Sequence, residues 1–368
     1  MRVALTKGTL RIPPTYFAVE HALALPSIDW EFFTLAADVS PEINLHIHEA
    51  TASKLSFSNR EKLKYLRLGK MRRQIEQAKP DIIHQHASTW SLPALNASKN
   101  LGVPMITTVH GTDLFTIDSE DVAPLALWNR FNTQSALQGS DRIVAVSEYL
   151  ANQARTRGVD ESKLEVIYQG VDTEFFSPGK KVDKYEELRN FVFVGALSDQ
   201  KGILDLTEAS RSLYEKAPHT LKVIGTGPHL PRLLREADRY PHIRVLGSLS
   251  RAQVRDHLRM ADVLVLPTKT WHGRQEAAGL VLLEAQACGT PVIANAVGGT
   301  PEMVAPGLGW LISEYDPEAL IRTMAEVIAM SNADLQAISE ASREWVIHNR
   351  AARVGADQLA QLYTDLIR

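Results

Sequence analysis

Glu276-Ala-Ala-Gly-Leu-Val-Leu-Leu-Glu284-Ala-Gln-Ala-Cys-Gly-Thr-Pro-Val-Ile-Ala294 sets two carboxylates eight positions apart around a glycine and an apolar run. A carboxylate withdrawn from water is costly unless polar groups pair with it. A segment this apolar that keeps two of them beside a glycine reads as a grip for a polyhydroxylated ligand. The run 280–287 predicts a helix, and the β-branched run 292–294 after Gly289 predicts a strand. The alternative is a solvated helix with two surface glutamates. The apolar run and the helix-opening Gly279 fit it poorly.

Short apolar runs alternate with longer amphipathic segments on both sides of this stretch. Strands are predicted at 2–6, 31–35, 44–48, 81–84, 105–108, 142–146 and 164–168 in the first half. Further strands are predicted at 191–194, 221–224, 243–246, 263–266 and 292–294. Helices are predicted at 60–79, 124–137, 148–157, 204–216, 231–238, 251–260 and 280–287. Ser250-x-x-Gln253 reads as a capping box, and Asp316-Pro317 as a cap followed by proline at the first helical position. Strands alternating with helices predict α/β architecture with parallel sheets covered on both faces.

A chain of 368 residues exceeds one typical core, so two domains are expected. Proline, glycine and charge cluster at 174–189, as at a domain boundary. The expected division is an N-terminal domain, 1–173, completed by an amphipathic helix at 350–368, a linker at 174–190, and a C-terminal domain at 191–349. Ligands of doubly wound sheets sit beyond the carboxyl ends of the strands, so a cleft between the two domains is the expected site. The net charge of −3 argues against nucleic acid as partner. Cys288 is the single cysteine, which excludes an intrachain disulfide and a cysteine-based zinc site and fits a reducing compartment. It reads as a small packed residue rather than a nucleophile. The first residues are too poor in apolar side chains for a signal peptide, and nowhere do 18 apolar residues run together. A cytoplasmic protein is expected.

Several pieces of the chain now match one pattern. They are Val194-Gly195-Ala196-Leu197 with Lys201-Gly202, Ile224-Gly225-Thr226-Gly227-Pro228, Glu276 to Glu284, and Gly298-Gly299-Thr300-Pro301-Glu302. His110-Gly111-Thr112-Asp113, Val146-Ser147-Glu148 and Gln169-Gly170-Val171-Asp172 match in the first half and at the hinge. Together they resemble the retaining GT-B glycosyltransferases of family 4 (group 1), and the resemblance covers nearly the whole chain. It implies two Rossmann-like domains and transfer of a hexose-type sugar from a nucleotide diphosphate sugar. A UDP-sugar is the first expectation and GDP-mannose the next. The acceptor would be a hydroxyl of a glycan, a lipid-linked saccharide or a small molecule.

By the resemblance, Glu276 accepts from hydroxyls of the donor sugar and Glu284 from the ribose. The amides of Ala277, Ala278, Gly279, Leu280 and Val281 would meet the diphosphate at a helix N-terminus, which favours anions. Lys201 would supply a compact charge to the departing diphosphate, and Gly8, Gly195 and Gly227 would let backbone approach the donor. His110 would meet the sugar near its reacting carbon; a satisfied structural histidine is the other reading. His110, Lys201 and Glu276 are thus the expected catalytic residues. Two positions depart from the pattern: Ala196 stands where the family typically has arginine, and Ala278 where it usually has an aromatic. Arg274 is a candidate to compensate for the missing arginine.

The segment Lys7-Gly8-Thr9-Leu10-Arg11 is expected to form a glycine turn after the first strand. Lys7 and Arg11 there, with Asp113 as a capping or orienting group, are the acceptor-side candidates. The basic stretch 60–79 carries Leu63, Leu66, Met71 and Ile75 on one face. It would either pack on its own sheet or rest on anionic lipid at the inner face of a membrane. No metal-ligand cluster is read from the sequence, and the resemblance implies metal-independent transfer without a cofactor. It also implies front-face attack through an ion-paired intermediate, with the departing phosphate taking the acceptor's proton. Sugar-nucleotide hydrolysis, epimerisation and non-catalytic nucleotide-sugar binding are the rival readings.

Overall fold

A computed structural model describes every residue except 13–14, 41–42, 44, 52–53, 180–187 and 368. Two compact units emerge: Met1–Gln169 with Ala352–Arg368, and Gly170–Ala351.

The first unit is a seven-stranded, all-parallel sheet. Its strands are β1 Arg2–Ile12, β2 Asp29–Val39, β3 Ile47–Glu49, β4 Ile82–His86, β5 Met105–Val109, β6 Arg142–Ala145 and β7 Leu164–Val166, in the order β3-β2-β1-β4-β5-β6-β7. Val3, Ala4, Leu5 and Thr6 are all buried, as expected of a central parallel strand covered on both faces. One face packs Ala4, Phe33, Ile83 and Met105 against Met71 and Ile75 of the helix Leu68–Ala78. The other packs Val3, Ile82, Ile106 and Val144 against Leu359 and Tyr363 of the C-terminal helix Ala352–Ile367. That helix therefore belongs to the first unit although 182 residues of the second precede it in sequence.

The second unit is a six-stranded parallel sheet of β8 Arg189–Val194, β9 His219–Ile224, β10 Ile243–Gly247, β11 Val263–Leu266, β12 Val292–Asn295 and β13 Trp310–Ile312. The order β10-β9-β8-β11-β12-β13 is the doubly wound, Rossmann-like one, with its switch point between β8 and β11. The Ser250 capping box forms, and the Asp316 side chain accepts the Ala319 N–H at the start of the helix Pro317–Ala329. Cys288 is buried, and burial pushes its thiol up to about 12, so it is an unreactive packing residue.

Three expectations need correction. The first strand does not stop at Thr6: β1 runs to Ile12 and pairs with β2 out to Val39. The expected glycine turn at Gly8 is thus extended strand. The stretch 60–79 is not one helix either, because a 3₁₀ turn, Lys64–Arg67, separates the helices Phe57–Leu63 and Leu68–Ala78. Met71 and Ile75 go to the sheet, whereas Leu63 and Leu66 stay exposed. Finally, Gly170–Gly179 folds with the second unit, since Val171 donates to the Arg350 carbonyl at 2.9 Å. Residues 180–187 of the expected linker lie outside the described residues. The strand β13 and the helices Leu92–Leu101 and Asn332–Asn349 were not read from the sequence.

Candidate functional site

In the second unit, the loops after β8 and β11 converge at the switch point. Lys201 ends the first loop and Glu276 lies in the second, and the Lys201 Nζ donates to the Glu276 Oε2. Both side chains are largely covered, 22% and 17% exposed. The convergence has a backbone cause. Gly202, at φ +66°, opens the helix Ile203–Tyr214, and a Cβ there would stand 2.0 Å from the Pro267 carbonyl oxygen. Gly298, at φ +59°, lies beneath Glu276: its Cβ would meet the Glu276 carbonyl oxygen at 2.2 Å. The Gly299 N–H donates to that same oxygen at 2.8 Å. A side chain at either position would push the lysine and glutamate loops apart.

Gly195 and Gly227 belong to the same cluster. Gly225 and Gly227 run directly against the backbone of Gly195–Ala196–Leu197, where a Cβ would fall 1.8 Å from the Gly195 oxygen or 2.5 Å from the Leu197 oxygen. Ala196 is exposed on this loop. Gly279, at φ +74°, caps the helix Leu280–Ala287, so the first amides of that helix, at Leu280 and Val281, have no partner within it. Ala277 and Ala278 lead into this turn, with Ala278 buried. Glu284 follows one turn further, half-buried on the helix itself. The two glutamates of the motif thus come from a loop and a helix. Arg274, two residues before Glu276, is exposed, and its backbone exchanges two hydrogen bonds of 2.9 Å with Trp271.

The first unit gathers a second group from within β1, the end of β4 and the turn after β5. The Asp113 carboxylate is buried and accepts the His110 N–H at 2.9 Å and the Ser88 N–H at 2.9 Å. It therefore orients the turn, as its position after the strand suggested. The His110 ring is bonded at both nitrogens, to the Gln169 amide nitrogen at 3.0 Å and to His86 Nδ1 at 3.2 Å. If the amide donates, His110 carries its proton on Nε2 and passes a hydrogen bond to His86. Burial, and next the charge of Lys7, hold the His110 imidazole well below its ordinary range, so it is neutral. Burial likewise lowers Lys7, whose ammonium feels Asp113 and sits 5.6 Å from the Phe17 ring centroid. Lys7, His110 and Asp113 are thus brought together. Arg11 is not: on β1 it pairs with Asp38 across the strand at 3.2 Å. Gly8 serves packing, because a Cβ would meet Trp90 at 2.5 Å.

His86 and Gln169 escaped the sequence reading as site residues, although the alternation His84-Gln85-His86 on a strand could have flagged one of them. His84 joins Tyr363 Oη at 2.5 Å and Thr108 Oγ1 at 2.7 Å. Burial pushes the pKa of His84 down to about 3 and that of His21 to about 4, from the ordinary imidazole value near 6.5. The folded pKa values lie below the unfolded one, so the stability these rings contribute is complete above about pH 6.5 and is lost as pH falls toward the folded values. Each excluded proton costs up to about 1.4 kcal/mol per pH unit in that window. Urea unfolding should therefore show stability falling steadily below about pH 6.5. A flat profile down to about pH 5 would contradict neutral burial of these rings.

The comparisons with known proteins agree with this architecture. A sequence model described as Glycosyl transferases group 1 matches residues 178–345, and one described as Glycosyltransferase Family 4 matches 17–175. An uncharacterized glycosyltransferase of Methanocaldococcus jannaschii is 32% identical over 69% of this chain and 67% of its own length. A D-inositol 3-phosphate glycosyltransferase of Mycolicibacterium gilvum is 31% identical over 68% of this chain and 59% of its own. An N-acetyl-alpha-D-glucosaminyl L-malate synthase of Bacillus anthracis is 24% identical over 88% of this chain and 85% of its own. The match thus spans about three fifths of the length of the inositol-phosphate relative. Among solved structures, a sucrose-phosphate synthase from Thermosynechococcus elongatus aligns with TM-score 0.80 at 22% identity, covering 100% of this chain and 99% of that one. Anabaena HepE in complex with UDP-glucose aligns with TM-score 0.79 at 18% identity over 100% of both chains. The two Rossmann-like units are those of the GT-B fold, and the chain belongs to the group 1, family 4 glycosyltransferases.

Proposed function

We propose that the protein is a retaining hexosyltransferase using a nucleotide diphosphate sugar, UDP-linked first and GDP-mannose second. The observation that carries this reading is the Lys201–Glu276 pair at the switch point, beside the Gly279-capped helix start. A cation, a carboxylate and free amides in one place suit a diphosphate joined to a polyhydroxylated ring. Anabaena HepE, crystallised with UDP and UDP-glucose, supports a nucleotide-sugar donor.

In the proposed reaction, the bond from the anomeric carbon to the diphosphate oxygen breaks with its electron pair leaving on phosphate. The acceptor oxygen bonds the same face of that carbon, and its proton passes to the departing phosphate. Lys201 and the amides of Leu280 and Val281 stabilise the charge on the leaving group, acting through preorganisation. Glu276 orients the sugar, and Glu284 holds the ribose. His110, neutral and bonded at both nitrogens, is a fixed hydrogen-bonding group rather than a carrier of protons. The transfer needs no metal. The names of the inositol 3-phosphate and malate relatives support a small anionic acceptor among the candidates, for which Lys7 is the fitting group. Glycans and lipid-linked saccharides are the others. Among the described residues no helix is long and apolar enough to cross a membrane. The basic stretch 60–79, with Tyr65 and Leu66 exposed, would rest on the inner membrane face from the cytoplasm.

Labelled donors incubated with and without acceptors test the reaction. Nucleotide release that depends on acceptor supports transfer; release without acceptor means hydrolysis; binding without release means a sensor, the rival that the absent arginine at Ala196 brings into view. Glu284→Ala should weaken nucleoside diphosphate binding by roughly 10–150-fold in calorimetry, since a charged hydrogen bond is worth roughly 1.5–3 kcal/mol. Unchanged affinity would remove Glu284 from the ribose.

A further inference from the structure

The edge of the first sheet holds a group that the glycosyltransferase reading does not use. In the parallel pairing of β2 with β3, Phe33 lies opposite His48 and Phe32 opposite Ile47. Side chains alternate along a strand, so Glu31 and Phe33 share a face with His46 and His48. The Glu31 Oε2 lies 3.0 Å from His46 Nδ1 and 2.5 Å from His48 Nε2. One ligand atom from each of the three residues falls within 4.8 Å of the others. The His48 ring is fixed by stacking on Phe33, centroids 4.7 Å apart and 11° between planes. The Glu31 side chain is 15% exposed and the His46 side chain 70%. The carboxylate is thus anchored, while one imidazole faces solvent and leaves an entry path.

We propose that Glu31, His46 and His48 bind a divalent transition-metal ion of the zinc type. Two imidazoles and a carboxylate are the ligand chemistry of Zn²⁺, Ni²⁺ or Cu²⁺, whereas Mg²⁺ and Ca²⁺ require oxygen donors. Tetrahedral ligand atoms at about 2.0–2.1 Å from zinc stand roughly 3.3 Å apart. The hydrogen-bonded atoms need to open by about 1 Å or less to admit the ion. Water completes the coordination on the His46 side. The neighbouring cation, Arg2, whose charge acts on Glu31, is itself paired to Asp29 at 2.8 Å.

The place of the group indicates its role. Glu31 is the third residue of β2, at the amino end of the parallel sheet, whereas His110 follows the carboxyl end of β5. The group therefore lies at the opposite end of this sheet from His110. Among the described residues β3 is a three-residue edge strand paired with β2. A metal bridging Glu31 to His46 and His48 staples that strand to the sheet and stabilises the native state by linkage.

The test is zinc titration of the full, untagged chain after removal of bound metal with a chelator. Calorimetry should show one Zn²⁺ per chain lost in His46→Ala and Glu31→Gln, and no comparable Mg²⁺ binding. Removing a ligand should weaken binding by at least the roughly 10–100-fold that losing an outer-shell partner typically costs. His46 is exposed, so its variant folds; His48, stacked on Phe33, is the less informative site to change. Thermal unfolding is the second readout: zinc should raise the midpoint of the parent chain and leave both variants unmoved. Equal zinc binding by the parent and His46→Ala, or no zinc-dependent shift in the parent, would overturn the site and leave a carboxylate that accepts two imidazole hydrogen bonds.

Discussion

Glu276→Gln is expected to lower turnover by about two to three orders of magnitude while free nucleotide binds within a few fold of the parent. The substitution keeps the shape of the side chain and removes its charge. Glu276 is 17% exposed and bonded to Lys201, so its carboxylate acts in a poorly solvated place where a charged contact counts for more than in water. Losing one preorganised contact to the reacting groups costs roughly 2.7–4 kcal/mol of the barrier. The nucleotide should not notice, because Glu276 is assigned to the sugar. Steady-state nucleotide release alongside calorimetry of the free nucleoside diphosphate separates the two effects. Equal loss in both would sink the assignment. The change also leaves Lys201 without its carboxylate, so thermal unfolding of the variant must show that the loss is not one of folded protein.

Lys201→Ala should be as severe, and in a different way. Here both turnover and nucleoside diphosphate affinity are expected to fall, the former by about 10²–10³-fold, because the ammonium faces charge present in the ground state and growing in the transition state. Ala196 makes the dependence sharper, since the arginine that would share the diphosphate is missing from this loop. Lys201→Arg is not a conservative repair: the guanidinium is larger and planar, and the next residue, Gly202, already lies against Pro267. In the double variant with Glu276→Gln the two losses should be far from additive, because the groups bond each other. Turnover within threefold of the parent in Lys201→Ala would remove the lysine from leaving-group stabilisation.

How far the chain could be read before its structure depended on the range of the interactions involved. β11, a continuous Val-Leu-Val-Leu run, was legible residue for residue because burial on both faces leaves no polar positions; the helix Leu280–Ala287 was legible because an apolar run follows the helix-opening Gly279. The Asp316-Pro317 cap was legible because capping depends on residues adjacent in sequence. β1 was misread past Thr6 because Lys7, Gly8 and Arg11 look like a loop in sequence. In the sheet, Gly8 accommodates Trp90 and Arg11 meets Asp38 on the neighbouring strand. The helix predicted at 60–79 was misread because its apolar stripe is continuous in spacing, whereas Met71 and Ile75, with Leu68 and Ala78 beside them, meet the core and Leu63 and Leu66 do not. β13 is three residues long at a sheet edge, too short for any periodicity.

The sequence by itself determined the family and the repeating strand–helix pattern of the two units. It also named the glutamates, the lysine and the glycines of the donor motif. These are properties of spacing, and spacing along a helix or strand is fixed by local geometry. Only the tertiary structure decided which of those groups meet. Lys201 and Glu276 are 75 residues apart and bond because β8 and β11 are neighbours in the sheet. His110 turned out to be held at both nitrogens by His86 and Gln169, and Glu31 to face His46 and His48 across a strand pair. Such juxtapositions follow from strand order and register, set by packing of the whole sheet, which no local stretch encodes.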